Sequence, residues 1–328
     1  MSQDSPPASK SLPSWPLPTV NLLLFFLGSG SAICATLGLI ARFDIFFELM
    51  THFYLEYFVV LLVAVPVLFL RKQRKQAALL SPFLLLAAFK VLSLYVPDPT
   101  PVPANAPRLR IVQTNVNTGN RNYNAVIKYV LSTDADIAAF EEVDQAWIDA
   151  LQKGLKDKYP FFVSQSRADN FGIALLSKRP LLNASIKYFG GVELPCAVAT
   201  VNVDGKPVTI VDLHVLPPMD DQMLIARNQE FKGIGTDRSV LGERCIIIGD
   251  FNSSSWSPYF EDMLRDLKLK DSRMGYGVQP SWPTMSILFR TTIDHLLTSE
   301  HFVTVKREIG PEVGSDHYPV YAEVALVK

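Results

Sequence analysis

The chain contains 328 residues, 48% of them hydrophobic, and has a formal net charge of −1 at pH 7. Its mean hydropathy of +0.18 is high for a purely soluble protein, and the excess lies in the first hundred residues, so the chain divides into a membrane part and a soluble part. Residues 97–328 carry 24 Lys and Arg against 28 Asp and Glu. This part lacks the basic surplus with which non-specific nucleic-acid binders displace counterions, which leaves room only for a local basic patch.

The first hundred residues predict a membrane anchor. Residues 1–19 are polar and rich in Pro and Ser, which is typical of a disordered segment. Residues 20–96 contain three apolar stretches, each long enough to cross the hydrocarbon core of a bilayer. These predicted transmembrane helices are Val20–Ile40, Phe53–Leu70 and Ala77–Val96.

A basic run, Arg71–Lys75, lies between the second and third stretches. Charge runs are usually solvated surface, but between two spans they indicate the cytoplasmic side. Three spans then place the N-terminus inside and everything from Pro97 onward outside. Residues 97–107 read as a Pro-rich linker, predicted to be extended and to hold the following domain, residues 108–328, off the bilayer.

From Arg108 onward, short apolar runs alternate with amphipathic stretches. The predicted strands are Leu109–Gln113, Ile137–Phe140, Phe161–Gln165, Ile173–Ser177, Ala197–Val203, Val208–Leu213, Ile246–Gly249, Ile293–Leu297 and Tyr318–Ala325. The predicted helices are Arg121–Ser132, Asp144–Lys156, Asp220–Gly235 and Ser257–Leu267. Because helices separate only some of the strands, the pattern predicts a mixed α/β domain with two sheets packed face to face.

The three cysteines, Cys34, Cys196 and Cys245, show no CxxC or Cys/His spacing, so nothing indicates a zinc site. Two buried thiols are favoured over a disulfide between Cys196 and Cys245. Cysteine usage therefore does not determine the compartment.

The most informative stretch is Cys245–Asn252. Its first four residues are apolar and mostly β-branched, which favours a strand buried on both faces. Side chains alternate along an extended chain, so Asp250 and Asn252 face one pocket while Phe251 returns to the core. A carboxylate and an amide held together in this way can bind a hard cation and a phosphate oxygen.

Polar side chains of the same kinds recur at the ends of other predicted strands. They are Asn115 and Asn117, Glu141 and Glu142, His214, Asp250 and Asn252, Asp294, and Asp316 with His317. Each has an ordinary structural explanation, such as a turn-forming amide or a hydrogen-bonded core histidine. Coincidence at six strand ends is a weaker explanation than one oxygen-rich pocket flanked by histidines.

Oxygen ligands without thiolates suit Mg²⁺ or Mn²⁺ better than zinc. A hard cation, amides and imidazoles together suit the attack of water at phosphorus, because they neutralise charge on the phosphoryl oxygens and stabilise the pentavalent state. The pocket therefore predicts phosphoric ester hydrolysis.

These motifs, in this order, resemble the endonuclease/exonuclease/phosphatase superfamily over residues 108–328. Gly249–Asn252 followed by Ser315–His317 before the last strand is the specific part of the resemblance. It implies a four-layered α/β sandwich with two packed mixed β-sheets, preceded here by three transmembrane helices. The spans are similar to those of the bacterial membrane-anchored branch, which implies a multi-pass protein of the bacterial inner membrane with a periplasmic or extracellular domain.

The resemblance also implies roles for individual residues. Metal binding falls to Asn115, Glu142 and Asp316, with Mg²⁺ or Mn²⁺ as the cofactor, although Glu141 stands where the family usually has Gln. Asp250 would orient or deprotonate the attacking water, and Asn252 would hold the scissile phosphate. The remaining catalytic positions are His317, polarised by Asp294, and His214.

Two further positions each have two interpretations. Arg227 falls where the family often has an arginine on a helix, and a structural ion pair is favoured there over a substrate contact. Trp282 lies in a loop before Asp294 and either lines the leaving-group side of the site or covers the core.

The predicted protein is thus a membrane-anchored, metal-dependent phosphoesterase, with phosphodiester cleavage favoured. Its candidate substrates are a lipid head group, a nucleotide or a nucleic acid, and no feature of the sequence indicates a protein partner. Two alternatives remain at this stage: a phosphomonoesterase, and a catalytically silent module of the same fold that binds a partner at the membrane.

Overall fold

The computed structural model describes residues 17–328. The disorder predicted for residues 1–19 falls mostly outside this range, but residues 17–19 already belong to the first helix. Pro18 lies in the first turn of that helix, where a backbone N–H has no intrahelical partner and its absence costs little.

The membrane part is helical. Its helices are α1 (Leu17–Leu39), α2 (Ile45–Met50), α3 (Tyr54–Leu70) and α4 (Arg74–Leu92). Within the described residues, three segments are long and apolar enough to cross a membrane: Pro18–Leu39, Ile45–Leu70 and Arg74–Tyr95. This confirms the three predicted apolar helices. Their outward surface is apolar, with Phe26, Leu70 and Phe89 largely exposed.

Short α2 was not predicted, because six residues are too few for a helical period to stand out. Asp44 caps it, and the Asp44 carboxylate accepts a hydrogen bond from Phe46 N at 2.8 Å. A 3₁₀ turn, Thr51–Phe53, joins α2 to α3.

The α/β domain begins at β1. Its strands are β1 (Arg108–Asn115), β2 (Ile137–Glu141), β3 (Phe161–Gln165), β4 (Ile173–Ser177), β5 (Leu182–Lys187), β6 (Cys196–Val203), β7 (Lys206–His214), β8 (Cys245–Asp250), β9 (Leu269–Asp271), β10 (Asp294–Ser299), β11 (Phe302–Ile309) and β12 (Val320–Leu326). Its helices are α5 (Tyr123–Thr133), α6 (Gln145–Leu155), α7 (Asp221–Thr236), α8 (Arg238–Leu241) and α9 (Pro258–Leu267).

In the described chain these strands form two six-stranded sheets, in the orders β11-β12-β1-β2-β4-β3 and β5-β6-β7-β8-β10-β9. A core that includes Ile111, Ile210 and Ile248 lies between them. Helices α5 and α6 cover the outer face of the first sheet, and α7 and α9 cover the second. The predicted four-layered sandwich with two mixed sheets is confirmed.

All nine predicted strands appear, whereas β5, β9 and β11 were missed. Each missed strand lies at the edge of its sheet. An edge strand is half solvated and β9 is only three residues long, so the apolar alternation that marks a buried strand is weak there. Asp144, Asp220 and Ser257 are the N-caps of α6, α7 and α9, and each side chain accepts a hydrogen bond from a backbone N–H of the first turn.

The anchor packs directly on the domain. Residues 97–107 contain no helix or strand, but Asp98 pairs with Lys270 at 2.6 Å. Tyr54 and Leu94 share an apolar cluster with Trp256. The linker therefore does not act as the spacer that its prolines predict, because the span ends bury apolar surface against the domain.

Candidate active site

Three neighbouring strands of the second sheet bring the central carboxylates and a histidine to one edge. In the parallel pair β7 and β8, His214 is in register with Asp250. In the antiparallel pair β8 and β10, Asp250 is in register with Asp294. Strands β7 and β8 can lie this close because residue 249 is glycine. A Cβ at Gly249 would lie 1.9 Å from Leu213 O, and the φ of Gly249 is +137°. Phe251 is fully buried, as the alternation predicts.

Asp250 lies at the centre of the site. Its Oδ2 accepts a hydrogen bond from Asn115 Nδ2 at 3.1 Å. The same oxygen lies 3.5 Å from His214 Nε2 and 3.7 Å from His317 Nε2. A single carboxylate oxygen thus faces an amide and two imidazoles.

His317 is oriented by Asp294, whose Oδ2 lies 2.9 Å from His317 Nδ1. The other oxygen of Asp294 accepts from Gln113 Nε2, also at 2.9 Å. The bond between Asp294 and His317 Nδ1 fixes the imidazole so that its Nε2 points toward Asp250. The structure brings the predicted His317–Asp294 pair together, and its catalytic role stays a prediction.

Asn252 lies on the His214 side of the site. Its Nδ2 lies 3.2 Å from His214 Nε2 and donates to Val215 O at 2.9 Å. Asn252 has a φ of +44°, and Asn117 and Glu142 are also in the left-handed region, at +58° and +61°. Such conformations in residues other than glycine cluster at functional sites, where the surrounding structure compensates for their strain.

Glu142 and Asn115 form the acidic side of the site. Asn115 Nδ2 donates to Glu142 Oε1 at 3.0 Å as well as to Asp250. Glu142 Oε2 accepts from Thr118 N at 3.2 Å. One amide group therefore lies between two carboxylates of the site.

Asp316 is joined to this group through Asn117. Asn117 Nδ2 donates to Asp316 Oδ1 at 2.7 Å, and Trp282 Nε1 donates to Asp316 Oδ2 at 3.1 Å. Trp282 is 37% exposed and its ring lies 6.4 Å from that of His317. Trp282 thus lines the site rather than covering the hydrophobic core.

The charges of the site divide in a way that suits acid–base chemistry. Burial alone would lower the pKa of His317, but the Asp294 and Asp250 carboxylates outweigh it and raise that pKa to about 10. Burial raises the pKa of Asp250 to about 7, against the attraction of His317. The His317 imidazolium keeps the pKa of Asp294 below its usual value in spite of burial. Asp250 is therefore poised to exchange a proton near neutrality.

His214 behaves differently from His317. Burial, and secondarily the charge on His317, lower the pKa of His214 to about 3. At neutral pH it is an uncharged imidazole that can hydrogen-bond to a phosphate ester but not neutralise it. The two histidines of the site thus carry opposite charge states.

Sequence reasoning missed the layer beneath the site. Glu141 Oε2 accepts from Gln113 Nε2 at 2.8 Å, and Glu141 also hydrogen-bonds Asp212 on the other sheet. Burial raises the pKa of both acids, which favours a proton between the two carboxyl groups. The sequence contained a signal for this layer. Gln113 stands two residues before Asn115, and Asp212 two residues before His214, so each faces the same side of its strand as the site residue that follows it.

The donor set fits a hard divalent cation. Glu142 and Asp250 are two carboxylates within hydrogen-bond reach of one amide, and burial raises the pKa of each. A cation among these oxygens would relieve that unfavourable burial, and carboxylate and amide oxygens are ligands that Mg²⁺ and Mn²⁺ accept.

Ligand atoms of Asp250, Asp294 and His317 also lie within 4.8 Å of one another. Distance alone would admit a metal there. Asp294 Oδ2 and His317 Nδ1 already face each other at 2.9 Å, however, and the two carboxylates raise the pKa of His317, which favours the protonated form that has no lone pair to offer. The assignment of the metal to Asn115, Glu142 and Asp316 stays a prediction.

Arg227 does not reach the pocket. It is fully buried, donates from Nη2 to Glu48 Oε1 at 2.8 Å, and donates from Nη1 to Asn252 O at 3.2 Å. The expected ion pair is present, and its partner comes from the anchor.

Comparison with known proteins identifies the family. The model of the endonuclease/exonuclease/phosphatase family matches residues 112–317, more than half of the chain. The chain belongs to this family, as the strand-end motifs predict. No match was found among curated protein sequences.

Solved structures show the same fold. An endonuclease/exonuclease/phosphatase family protein from Bacteroides thetaiotaomicron has a TM-score of 0.57 at 16% identity, covering 68% of this chain and 99% of that one. Its counterpart from Bacteroides vulgatus has a TM-score of 0.56 at 20% identity, covering 67% and 99%. D. rerio TDP2, solved with a single-strand DNA product, has a TM-score of 0.54 at 15% identity, covering 66% and 98%.

Proposed function

We propose that this protein is a membrane-anchored, metal-dependent phosphodiesterase that hydrolyses a P–O bond with an activated water. The supporting observation is the position of Asp250, whose Oδ2 lies within 3.7 Å of His317 and 3.5 Å of His214, beside the Glu142–Asn115 pair. Phosphoryl hydrolysis requires a base whose pKa lies near neutrality, next to an imidazolium and to carboxylates that can bind a cation.

In this proposal Glu142 and Asn115 hold Mg²⁺ or Mn²⁺, with Asp316 contributing through Asn117. The bound cation supplies neutralising charge at the phosphoryl oxygens. Asp250 takes the proton of the attacking water. The His317 imidazolium, oriented by Asp294, stabilises the negative charge that develops at phosphorus.

Asn252 and His214 complete the opposite side of the site. Their side-chain nitrogens lie 3.2 Å apart, so one phosphate oxygen can contact both. The neutral His214 contributes a hydrogen bond without adding charge. We assign these two residues to binding and orienting the scissile phosphate.

A feature of the loop before β10 favours a lipid substrate over a nucleotide or a nucleic acid. Residues 285–289, here called the apolar loop, expose large side chains: Met285 is 90%, Ile287 86% and Leu288 75% exposed. The Phe289 ring packs on that of Phe53, the residue just before α3, with ring centroids 6.3 Å apart. The apolar loop therefore continues the apolar surface of the anchor and begins beside Trp282 at the site, which suits a phosphodiester carried by the bilayer.

The proposed location is the bacterial inner membrane, with the α/β domain in the periplasm or outside the cell. The basic run Arg71–Lys75 lies at the end of the helices opposite the domain, since the domain contacts Arg42 and Lys90 near the other ends. The positive-inside rule puts that basic end in the cytoplasm.

Full-length protein in lipid nanodiscs tests the activity. We expect hydrolysis of bis-p-nitrophenyl phosphate that EDTA abolishes and that Mg²⁺ or Mn²⁺ restores. Metal-dependent turnover confined to p-nitrophenyl phosphate, run in parallel, would make the protein a phosphomonoesterase. Folded protein without turnover under any divalent ion would leave the silent binding module as the correct interpretation.

A further inference from the structure

The start of the second span, residues 45–53, contacts the domain through polar groups as well as through apolar surface. Glu48 on α2 is completely buried. Its Oε1 accepts from Arg227 Nη2 at 2.8 Å and from Ser257 Oγ at 2.7 Å. An anchor that served only as a tether would have no need to place a carboxylate inside the domain, where burial of a charge is unfavourable unless it is paired.

Arg227 carries this contact to the site. Its Nη1 donates to the main-chain carbonyl of Asn252 at 3.2 Å. Asn252 is one of the residues with a left-handed backbone, so its side-chain position depends on how that peptide is held. Glu48, Arg227 and Asn252 form a continuous chain of hydrogen bonds from the anchor to the amide beside His214.

Two more contacts bind the same segment to the flanks of the site. Ser254 Oγ donates to Thr51 O at 3.1 Å, in the loop that follows Asp250. Thr291 Oγ1 donates to His52 O at 3.2 Å, three residues before Asp294. This segment therefore contacts the chain just after β8 and just before β10, at the end of the strand pair that carries the two aspartates.

We infer that the anchor is a positioning element of the active centre, and that Glu48 sets the place of Asn252 through Arg227. The inference rests on the proposed function and makes the anchor a regulator of turnover at the same site. Turnover then depends on the position of the spans relative to the domain. A shift of α2 against the domain moves the Asn252 amide, which binds phosphate, while leaving Asp250 and His317 in place.

The test compares full-length Glu48→Gln with wild type in nanodiscs. Glu48→Gln keeps the shape of the side chain and removes its charge. We expect kcat on bis-p-nitrophenyl phosphate to fall about tenfold or more with the metal requirement unchanged, because small misplacements of binding groups are costly. Lys90→Gln is the matched control, since Lys90 joins the anchor to Glu261 at the exposed rim of the same interface, and it should leave kcat unchanged. Wild-type kcat in Glu48→Gln would overturn the inference.

A double variant separates positioning from stability. Glu48→Gln with Arg227→Met leaves no unpaired buried charge, so its melting temperature should recover toward that of wild type, while kcat stays low because the bond to Asn252 O is gone. Recovery of kcat together with the melting temperature would show that Glu48 acts on stability alone.

Hydrogen–deuterium exchange decides the coupling even if the wild type hydrolyses nothing. Residues 251–257 should exchange at least about tenfold faster in Glu48→Gln than in wild type, and at the wild-type rate in Lys90→Gln, because loss of the hydrogen-bond chain favours local opening. Equal exchange in all three proteins would refute the inference, whereas an inactive wild type with accelerated exchange would refute only the proposed function.

Discussion

At the scale of single residues, the site depends on neighbours that give similar groups opposite behaviour. Asp250 and Asp294 face each other across two strands, yet their pKa values move in opposite directions. The difference comes from His317, whose Nδ1 bonds Asp294 at 2.9 Å while its Nε2 lies 3.7 Å from Asp250. Environments that push the pKa values of paired groups apart are a mark of acid–base sites.

We predict that Asp250→Asn and His317→Ala each lower kcat about a hundredfold or more, the size expected for removing a preorganised catalytic group. Turnover of purified full-length variants measures this. Asp266→Asn, an exposed acid on α9, is the control and should be unaffected. A folded variant at either position with near-wild-type kcat would remove that residue from the mechanism.

Glu230 provides a residue-scale prediction about stability. It is fully buried on α7, accepts a hydrogen bond from Cys196 Sγ at 3.4 Å, and burial raises its pKa to about 8. The unfolded chain ionises near pH 4.3 at this position. The folded state therefore holds a proton that the unfolded state loses, and stability falls as pH rises through that window.

Glu230→Gln does not titrate, so we predict that it melts at a higher temperature than wild type at pH 8 and that the gap shrinks by pH 5. The underlying change is at most about 1.4 kcal/mol per pH unit. Thermal denaturation across pH 5–8 measures the gap. A difference that stays constant with pH would mean that Glu230 is not protonated in the folded protein.

At the scale of elements, strand ends and the loops after them build the site, whereas helices only support it. Strands β1, β2, β7, β8 and β10 each deliver a polar side chain at or beside one end. The connection before β10 contains Trp282, which faces the site, and the apolar loop, which contacts the anchor. The proposed lipid substrate would place its head group beside Trp282 and its acyl chains beside the apolar loop.

Replacing Ile287 and Leu288 by Ser tests the apolar loop. We expect hydrolysis of a phosphodiester lipid presented in vesicles to fall about tenfold, because each buried apolar side chain contributes ~1.5–3 kcal/mol to membrane contact, while hydrolysis of soluble bis-p-nitrophenyl phosphate is retained. Leu182→Ser, at an exposed position on edge strand β5, is the matched control. Equal losses on both substrates would contradict a role in lipid access.

At the scale of the whole molecule, the α/β domain and the basic turn lie at opposite ends of the anchor helices. The domain lies at the ends where α1 and α4 finish, and the turn between α3 and α4, with its basic residues, lies at the opposite end. In the proposed orientation, this arrangement would hold the active centre beside the outer surface of the membrane.

We predict that a reporter fused after Lys328 is active only in an exported form. Three spans with a cytoplasmic basic loop require this orientation. Protease protection in spheroplasts is an independent measurement, and the α/β domain should be accessible from outside. A reporter that works in the cytoplasm would reverse the topology.

The sequence by itself determined the three apolar helices, the two-sheet sandwich and the residue types at the strand ends. It could do so because periods of two and runs of about twenty apolar residues are local properties of a chain. The order of the motifs also sufficed to indicate the family.

Only the tertiary structure decided how these parts act on one another. Asp250 and Asp294 are adjacent because β8 and β10 pair, and Glu141 meets Asp212 because two sheets pack face to face. Glu48 reaches Arg227 from 179 residues away, and its burial shows that the anchor is packed on the domain rather than held away from it by the proline-rich segment. Pairing across such distances depends on which surfaces bury each other, and that is a property of the folded chain as a whole.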